Sequence, residues 1–415
     1  LLSHACPLNR VDIIADAKGL NYLVKIEFLL KVFLLLMIKL ECYEFRGLRL
    51  LELEKNLIDD LILLSLREDL EPHGDLSSFL TIDFAQQADA EIIAKEDGVM
   101  SCGFLVAEIL SQGQEYLINN FIKMRIIENA EIGVPQQCRE GRVAERASSR
   151  LRRTNDRSVL GVHEDHEGDE NAEIGVPLRA LEVYFKDGEK FFKGDCLIKI
   201  QGSAILLLAM ERTILNFLQR LTGIATLTRK LTSLLENTPT KLLDTRKTNP
   251  GMRVLEKMAF KHGSATNHRL NLSDMIMLKE NHISLSRFKN IKEALLHTRE
   301  QVEKSNLKNL SGETLKIEIE INQENLYLLE SIIQEGLADV VMLDNFSVSE
   351  LSTIMAGIRT WQAENAENGV FIEISGGINP ENILSYLKLE PDFISTSYVS
   401  KNAHSIDLSM LITKN

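Results

Sequence analysis

The chain has 415 residues and a mass of 46.9 kDa, with 47 Lys and Arg against 60 Asp and Glu, a formal charge of −13 and a pI near 5.3. At 44% hydrophobic and 26% charged residues, it has an ordinary globular composition, long enough for roughly two or three domains; a disordered chain, a collagen and a polytopic membrane protein are excluded. The acidic balance argues against general nucleic-acid binding, which needs basic surface, but leaves room for a small anion in a local basic pocket.

The first segment, residues 1–50, reads as an uncertain N-terminal extension. Its apolar run Phe28–Leu40 contains Lys31 and falls short of the about 20 apolar residues that a membrane span needs. No small-residue cleavage site follows it, and Met37 is an alternative start. Residues 51–66 are helical in pattern, with Leu53, Leu57, Leu61 and Leu64 as the expected apolar stripe. Residues 88–104 read as strand material ending at Gly98 and Gly103.

The octapeptide ENAEIGVP occurs at Glu128–Pro135 and again at Glu170–Pro177. The block between the copies, 136–169, has seven Arg, seven Asp or Glu, no Lys and no aromatic residue. Such a segment cannot bury enough apolar surface to offset its ordering entropy, so it reads as a disordered insertion. The alternation in Leu181–Ile200, broken at Asp187-Gly188, predicts a hairpin. Residues 51–210 therefore read as an α+β N-terminal domain.

Glu211–Leu221 is an amphipathic helix, with Ile214, Phe217, Leu218 and Leu221 on one face and Arg212, Asn216 and Gln219 on the other. Beyond it, short strands alternate with helices. The expected strands are Lys241–Leu243, Met275–Leu278, Ile317–Ile321, Val340–Leu343, Phe371–Ile374 and Phe393–Ile394. This rhythm predicts parallel strands with crossover helices, an α/β fold. Five of the six strands run into these polar residues: Asp244-Thr245-Arg246-Lys247, Lys279-Glu280-Asn281-His282, Asp344-Asn345, Ser375-Gly376-Gly377 and Ser395-Thr396-Ser397. Both a (β/α) barrel and a doubly wound sheet build their sites at such strand ends; the barrel is modestly favoured. The catalytic domain is assigned to 211–402, and 403–415 to a tail packing back on the N-terminal domain.

Residues 241–282 hold eight Lys or Arg against four Asp or Glu, which makes a basic island in an acidic protein. Arg246, Lys247, Arg269 and Lys279 lie at or near strand ends and suit a small polyanion. The alternation in IEIEI puts Glu318 and Glu320 on one strand face. Inside a barrel such carboxylates need partners; Glu320 with Asp344 could hold Mg²⁺ or sugar hydroxyls. Consecutive glycines at 376 and 377 let backbone amides approach a phosphate, although an isolated Ser-Gly-Gly is more often a plain turn. The five cysteines are scattered and lack CxxC spacing. Neither a disulfide framework nor a zinc site is indicated, and a reducing cytoplasm is the expected location.

The runs ERTILNFLQRLTGIATLT (211–228), DTRKTNPGMRVLEKMAFKHGSATNHRLNLSDMIMLKENHI (244–283), VVMLDNF (340–346), EISGGI (373–378) and DFISTS (392–397) closely resemble the quinolinate phosphoribosyltransferases. REDLEPHGDLSS (67–78) resembles the start of that family's N-terminal domain. The resemblance implies a type II phosphoribosyltransferase fold, an incomplete α/β barrel with an α+β N-terminal domain, assembled as a homodimer. The implied reaction joins quinolinate to phosphoribosyl pyrophosphate with Mg²⁺ and yields nicotinate mononucleotide, pyrophosphate and CO₂, a step of de novo NAD synthesis. By the same resemblance, Arg246, His268, Arg269 and Lys279 surround the quinolinate carboxylates. Lys247 and Thr248 bind substrate or phosphate. Lys247, Lys279, Glu320 and Asp344 are the expected catalytic group, with Glu320 and Asp344 near the ribose and the metal. Arg212 reaches into the partner subunit's site. Ser375-Gly376-Gly377 and Thr396-Ser397-Tyr398 hold the 5′-phosphate.

Two departures stand out. The family's glycine-rich run before the NHR motif is here Gly263-Ser264-Ala265-Thr266, and Ser397 stands where the family usually has Gly. A serine at positive φ would be strained. Together with the insertion, these keep a competing reading open: a catalytically decayed or repurposed member, such as the molybdenum-transport-linked paralogue. The intact DTRKT, NHR and LKENH runs argue against the paralogue.

Overall fold

The computed structural model describes residues 48–131, 178–310, 312–365 and 369–415, with the side chains of 48–53 and 119–131 outside that description. The expectations for residues 1–47 and for the insertion 136–169 fall outside the described residues.

Helix α1 (Leu48–Leu70) is longer than expected, and its buried face differs from the expected stripe. Ile58, Ile62, Leu66 and Leu70 are buried, whereas Leu57 and Leu64 are 45% and 61% exposed. The chain offers two overlapping apolar stripes here. The core takes the one with strict i, i+4 spacing. A short helix, α2 (Leu76–Thr81), is capped by the Asp75 carboxylate, which accepts from Ser78 N. Strands β1 (Gln87–Ala94) and β2 (Gly98–Val99) follow, then helix α3 (Leu105–Glu131).

β3 (Leu178–Val183) and β5 (Cys196–Ser203) pair antiparallel, as the hairpin expectation required. Lys190–Phe191 (β4) does not extend that pairing. It crosses instead to β2, with Gly98 opposite Phe191 and Val99 opposite Lys190. The final strand, β12 (Leu408–Lys414), pairs antiparallel with β1 and gives a sheet of order β12-β1-β5-β3.

Helix α4 (Ala204–Thr232) is buried over most of its length, with Arg212, Asn216 and Lys230 exposed. Gly223 lies where an added Cβ would fall 1.9 Å from the His404 carbonyl oxygen, so glycine is required for the chain's last segment to cross there. Gln219 Nε2 donates to the Leu408 carbonyl at 2.8 Å, and the Gln219 carbonyl accepts from Ile406 N at 3.0 Å.

The remainder is the expected α/β alternation. Its strands are β6 (Lys241–Leu243), β7 (Ile276–Leu278), β8 (Ile317–Ile321), β9 (Val340–Asp344), β10 (Phe371–Ser375) and β11 (Phe393–Ser395). They are parallel in the order β6-β11-β10-β9-β8-β7. Helices α5 (Arg253–His262), α6 (Glu280–Ser284), α7 (Ile291–Ser305), α8 (Leu329–Gln334), α9 (Val348–Glu364) and α10 (Ile383–Leu387) separate them, and α11 (Tyr398–Asn402) follows β11. This is an incomplete α/β barrel with edges at β6 and β7. Near the β6 edge, Thr266 N donates to Leu242 O at 2.9 Å. Near β7, Arg269 donates from Nη1 to Met275 O at 3.1 Å. No helix among the described residues is long and apolar enough to cross a membrane.

Candidate active site

Six parallel strands deliver their C-terminal ends to one cavity of about 360 Å³. β6 supplies Asp244 to Lys247, β7 Lys279, β8 Glu320, β9 Asp344, β10 Ser375 and β11 Ser395. The sequence-predicted residues gathered here are Arg246, Lys247, His268, Arg269, Lys279, Glu320, Asp344 and Ser375.

Arg246 and Arg269 line this cavity together. Burial and the neighbouring Arg246 charge both disfavour the Arg269 cation. The Arg269 guanidinium is steadied by Met275 O and by Met277 Sδ, the latter at 3.3 Å. Arg246 Nε is buried with no hydrogen-bond partner among the described residues. Two crowded guanidiniums with spare donors form a strong site for a doubly anionic ligand. Lys279 Nζ pairs with the Glu320 carboxylate at the cavity wall. Burial pushes the Glu320 carboxyl up; Lys279 pulls it down, and Glu280 and Asp344 push it up again. Asp344 accepts from Asn345 Nδ2 at 2.6 Å.

Asp244 was legible only as part of a polar strand end. The structure makes it a hub: it accepts from the His268 amide at 2.8 Å and from Lys257 Nζ at 2.5 Å. With its amide turned to satisfy both groups, Asn267 also donates to Asp244 at 3.0 Å and to Lys257 O at 2.9 Å. Burial pushes the Asp244 carboxyl up and the Lys257 ammonium down, each countered by the other's charge.

His268 is held differently from a free ligand. Its Nδ1 accepts from the Arg269 amide at 2.8 Å, while Nε2 stands 3.0 Å from Glu318 and 3.5 Å from Glu373. Burial lowers the imidazole's proton affinity, but the two carboxylates outweigh it and raise it overall. Burial also pushes Glu318 up, against the pull of His268. The protons therefore belong to the triad rather than to any one member. Glu373 was not singled out in the sequence, although Ile372-Glu373-Ile374 repeats the alternation of IEIEI. That period-two signal would have found it.

The remaining predicted residues stand outside the cavity lining. Arg212 is exposed on α4, and Thr248 follows Lys247 with its hydroxyl buried. Gly376 and Gly377 have φ of +102° and +62°, and an added Cβ on Gly376 would meet Asn345 N at 2.6 Å. Thr396 Oγ1 donates to Ile378 O at 2.7 Å and accepts from Tyr398 N at 3.0 Å, which ties the two predicted phosphate loops together. Ser397 has φ of −93°, so its side chain carries no left-handed strain. Of the two departures from the family pattern, the positive φ falls on the Ser264 run, with Ser264 at +70°; Cys102, Asn306, Asn345 and Glu390 are the other non-glycine residues with positive φ among the described residues.

Fold and site together define an α/β-barrel enzyme with a cationic pocket at the strand C-termini. Residues 170–222 match the family model "Quinolinate phosphoribosyl transferase, N-terminal domain" and residues 224–411 its C-terminal domain. A probable nicotinate-nucleotide pyrophosphorylase [carboxylating] of Bacillus subtilis is 36% identical over 231 residues, covering 56% of this chain and 72% of that protein. One from Archaeoglobus fulgidus is 33% identical over 233 residues, covering 55% and 81%. Among solved structures, NadC from Streptococcus pyogenes superposes with a TM-score of 0.61 at 27% identity, covering 86% of this chain and 97% of that one. The chain belongs to the quinolinate phosphoribosyltransferase family.

Proposed function

We propose that the chain is a carboxylating nicotinate-nucleotide pyrophosphorylase, a pentosyltransferase that makes nicotinate mononucleotide from quinolinate and phosphoribosyl pyrophosphate. The observation that carries this reading is the convergence of two half-buried guanidiniums, Arg246 and Arg269, on one cavity with Lys279. A planar dicarboxylate is the ligand whose charge relieves that crowding.

In the proposed reaction the pyridine nitrogen bonds to the anomeric carbon as the carbon–oxygen bond to pyrophosphate breaks. The carboxylate next to the nitrogen then leaves as CO₂. Its bonding electrons stay on the ring carbon, which the pyridinium charge stabilises until a proton replaces the lost group. Arg246, Arg269 and Lys279 hold the carboxylates, and Lys247 at the exposed rim meets the phosphates. Glu320 and Asp344, on neighbouring strands, lie where positive charge on the ribose would be stabilised. The loops at 375–377 and 396–398 are assigned to the 5′-phosphate, with Thr396 joining them rather than donating to the ligand.

Glu320 and Asp344 offer hard oxygen donors at the cavity wall, which suits Mg²⁺. Because Lys279 already partners Glu320, the ion would be held chiefly by the diphosphate, with Asp344 completing its shell. Its chemistry would be neutralisation of the leaving pyrophosphate. A homodimer in which the exposed Arg212 reaches the partner's cavity is part of the proposal, as is a cytoplasmic location.

The test is product formation. Purified protein with quinolinate, phosphoribosyl pyrophosphate and Mg²⁺ should yield nicotinate mononucleotide, and omission of any one should abolish it. A folded protein that makes no product with all three would overturn the reading.

A further inference from the structure

The cavity at the strand C-termini has a second cavity behind it, of about 220 Å³, lined by Lys316, Phe371 and Phe393 among others. Three residues line both cavities: His268, Arg269 and Glu373. They are the wall between them. Glu318 on β8 and Glu373 on β10, two strands with β9 between them, both reach His268 and are 0% and 1% exposed.

Two buried carboxylates on one imidazole must be compensated, because unpaired ionised groups in a dry interior are costly. Both Glu318 oxygens and His268 Nε2 lack a hydrogen bond of good angle among the described residues, as one N–H shared between two acceptors would. The ring's tautomer is fixed from its other side. Arg269 N–H donates to Nδ1, so Nδ1 offers its lone pair there and the ring N–H is on Nε2, facing the carboxylates; the further proton that the cluster attracts then lies on a carboxylate, Glu318, whose proton affinity burial raises.

The same donor atoms, all within 4.8 Å of one another, have the spacing of a cation site. A metal on Nε2 would displace the ring proton to Nδ1, where the Arg269 amide already donates. The arrangement therefore favours a protein-only triad over a metal centre.

From this we infer that Glu318 and Glu373 are positioning residues that act on ligand binding through His268. They hold the imidazole by its Nε2–H; the imidazole fixes the Arg269 amide; and the Arg269 guanidinium is thereby set at the cavity wall that Arg246 also lines. The inference rests on the reading of that cavity as a dicarboxylate site. It deepens that reading, because the triad tunes recognition of one substrate and not of the other.

The test is steady-state kinetics of the full chain with both substrates, on Glu318→Gln, Glu373→Gln, His268→Gln and the double variants. Each Glu→Gln change keeps side-chain volume and removes the carboxyl group. The expected result is a rise of about tenfold in KM for quinolinate with KM for phosphoribosyl pyrophosphate within about twofold. In the His268→Gln background, adding Glu318→Gln should change KM for quinolinate by less than about twofold, since the path through His268 is already cut. Normal KM values in the single variants, equal rises for both substrates, or fully additive double variants would each overturn the inference. If the Gln variants do not fold, Glu318→Asp keeps the carboxyl group but withdraws the oxygen, and the same selective KM rise is required of it. Elemental analysis supplies a separate arm: a stoichiometric metal in the wild type that Glu318→Gln loses would replace the triad with a metal site. A wild-type protein that makes no product sinks the functional reading itself, whereas an active wild type with unaltered variants sinks only this inference.

Discussion

Strands β1 and β8 carry similar mixtures of acidic and apolar residues and use them in opposite ways. In β1 the alternation is one-sided. Ala88, Ala90, Ile92 and Ala94 are buried, while Asp89 and Glu91 lie on the half-exposed face. In β8 all five residues of IEIEI are buried, carboxylates included. The antiparallel sheet covers one face with core and leaves the other wet. The barrel sheet stays open between β6 and β7 but is covered on both faces, so its second face is an interior in which every charge needs a partner. The difference teaches where to look for chemistry: acidic residues on a wet face are ordinary, whereas acidic residues in a covered interior are kept there by partners and a task.

The sharpest way to break that comparison is to remove a partner from the interior. Asp244→Ala leaves the Lys257 ammonium, 2% exposed, without its carboxylate and frees the His268 amide. The expected cost is about 3–5 kcal/mol of stability, read as a large fall in Tm or in denaturation midpoint. A variant melting alongside wild type would show that the pair contributes nothing.

Next in size is the cationic wall. Lys279→Ala and Arg246→Ala should each lower the rate at least about tenfold, or about 1.4 kcal/mol; Lys279→Ala should also lower stability, because it leaves the buried Glu320 carboxylate without its partner. Wild-type turnover in either purified variant would remove it from the proposed machinery.

Much of this was legible in advance, for physical reasons that differ by element. The barrel strands were readable because most are short apolar runs that stop abruptly at polar residues, as at Leu243-Asp244 and Leu278-Lys279, while β8 and β10 alternate Ile with Glu. Glu318 and Glu320 were readable as a pair from period two alone. The face of α1 was not, because Leu57, Leu61 and Leu64 compete with Ile58, Ile62 and Leu66 for the same core, and only packing decides. Nor was the partner of Lys190–Phe191, which is set by β2 some ninety residues earlier. The hub at Asp244 depends on Lys257 being brought back by α5, a tertiary fact with no local trace. The strain expected at Ser397 is absent because that residue has φ of −93° as the chain enters α11.

The strain sits at Ser264, beside the barrel's open edge, and gives a smaller effect of opposite sign. Its φ of +70° is one that L side chains adopt at a cost. Ser264→Gly should therefore raise stability by about 1 kcal/mol, while Ser397→Gly should leave it unchanged or slightly lower it. Denaturant titration of both variants decides the matter, and equal responses at the two positions would remove backbone conformation as the cause.

The smallest effect belongs to the wet sheet. Glu91 and Lys199 are cross-strand partners on β1 and β5, with 3.5 Å between charged atoms and side chains 44% and 36% exposed. A carboxylate and an ammonium at that exposure keep most of their hydration, so their Coulomb attraction is screened and offset by the side-chain entropy of holding the pair. Glu91→Ala should cost less than about 1 kcal/mol, and the little it costs should vanish in high salt. The same measurement on Asp244→Ala should be nearly salt-independent, because ions cannot enter between Asp244 and Lys257. If both variants lost stability equally, or if salt erased both losses, exposure would not be what separates the two sheets. The covered interior of β8 would then need some explanation other than the dielectric around its charges.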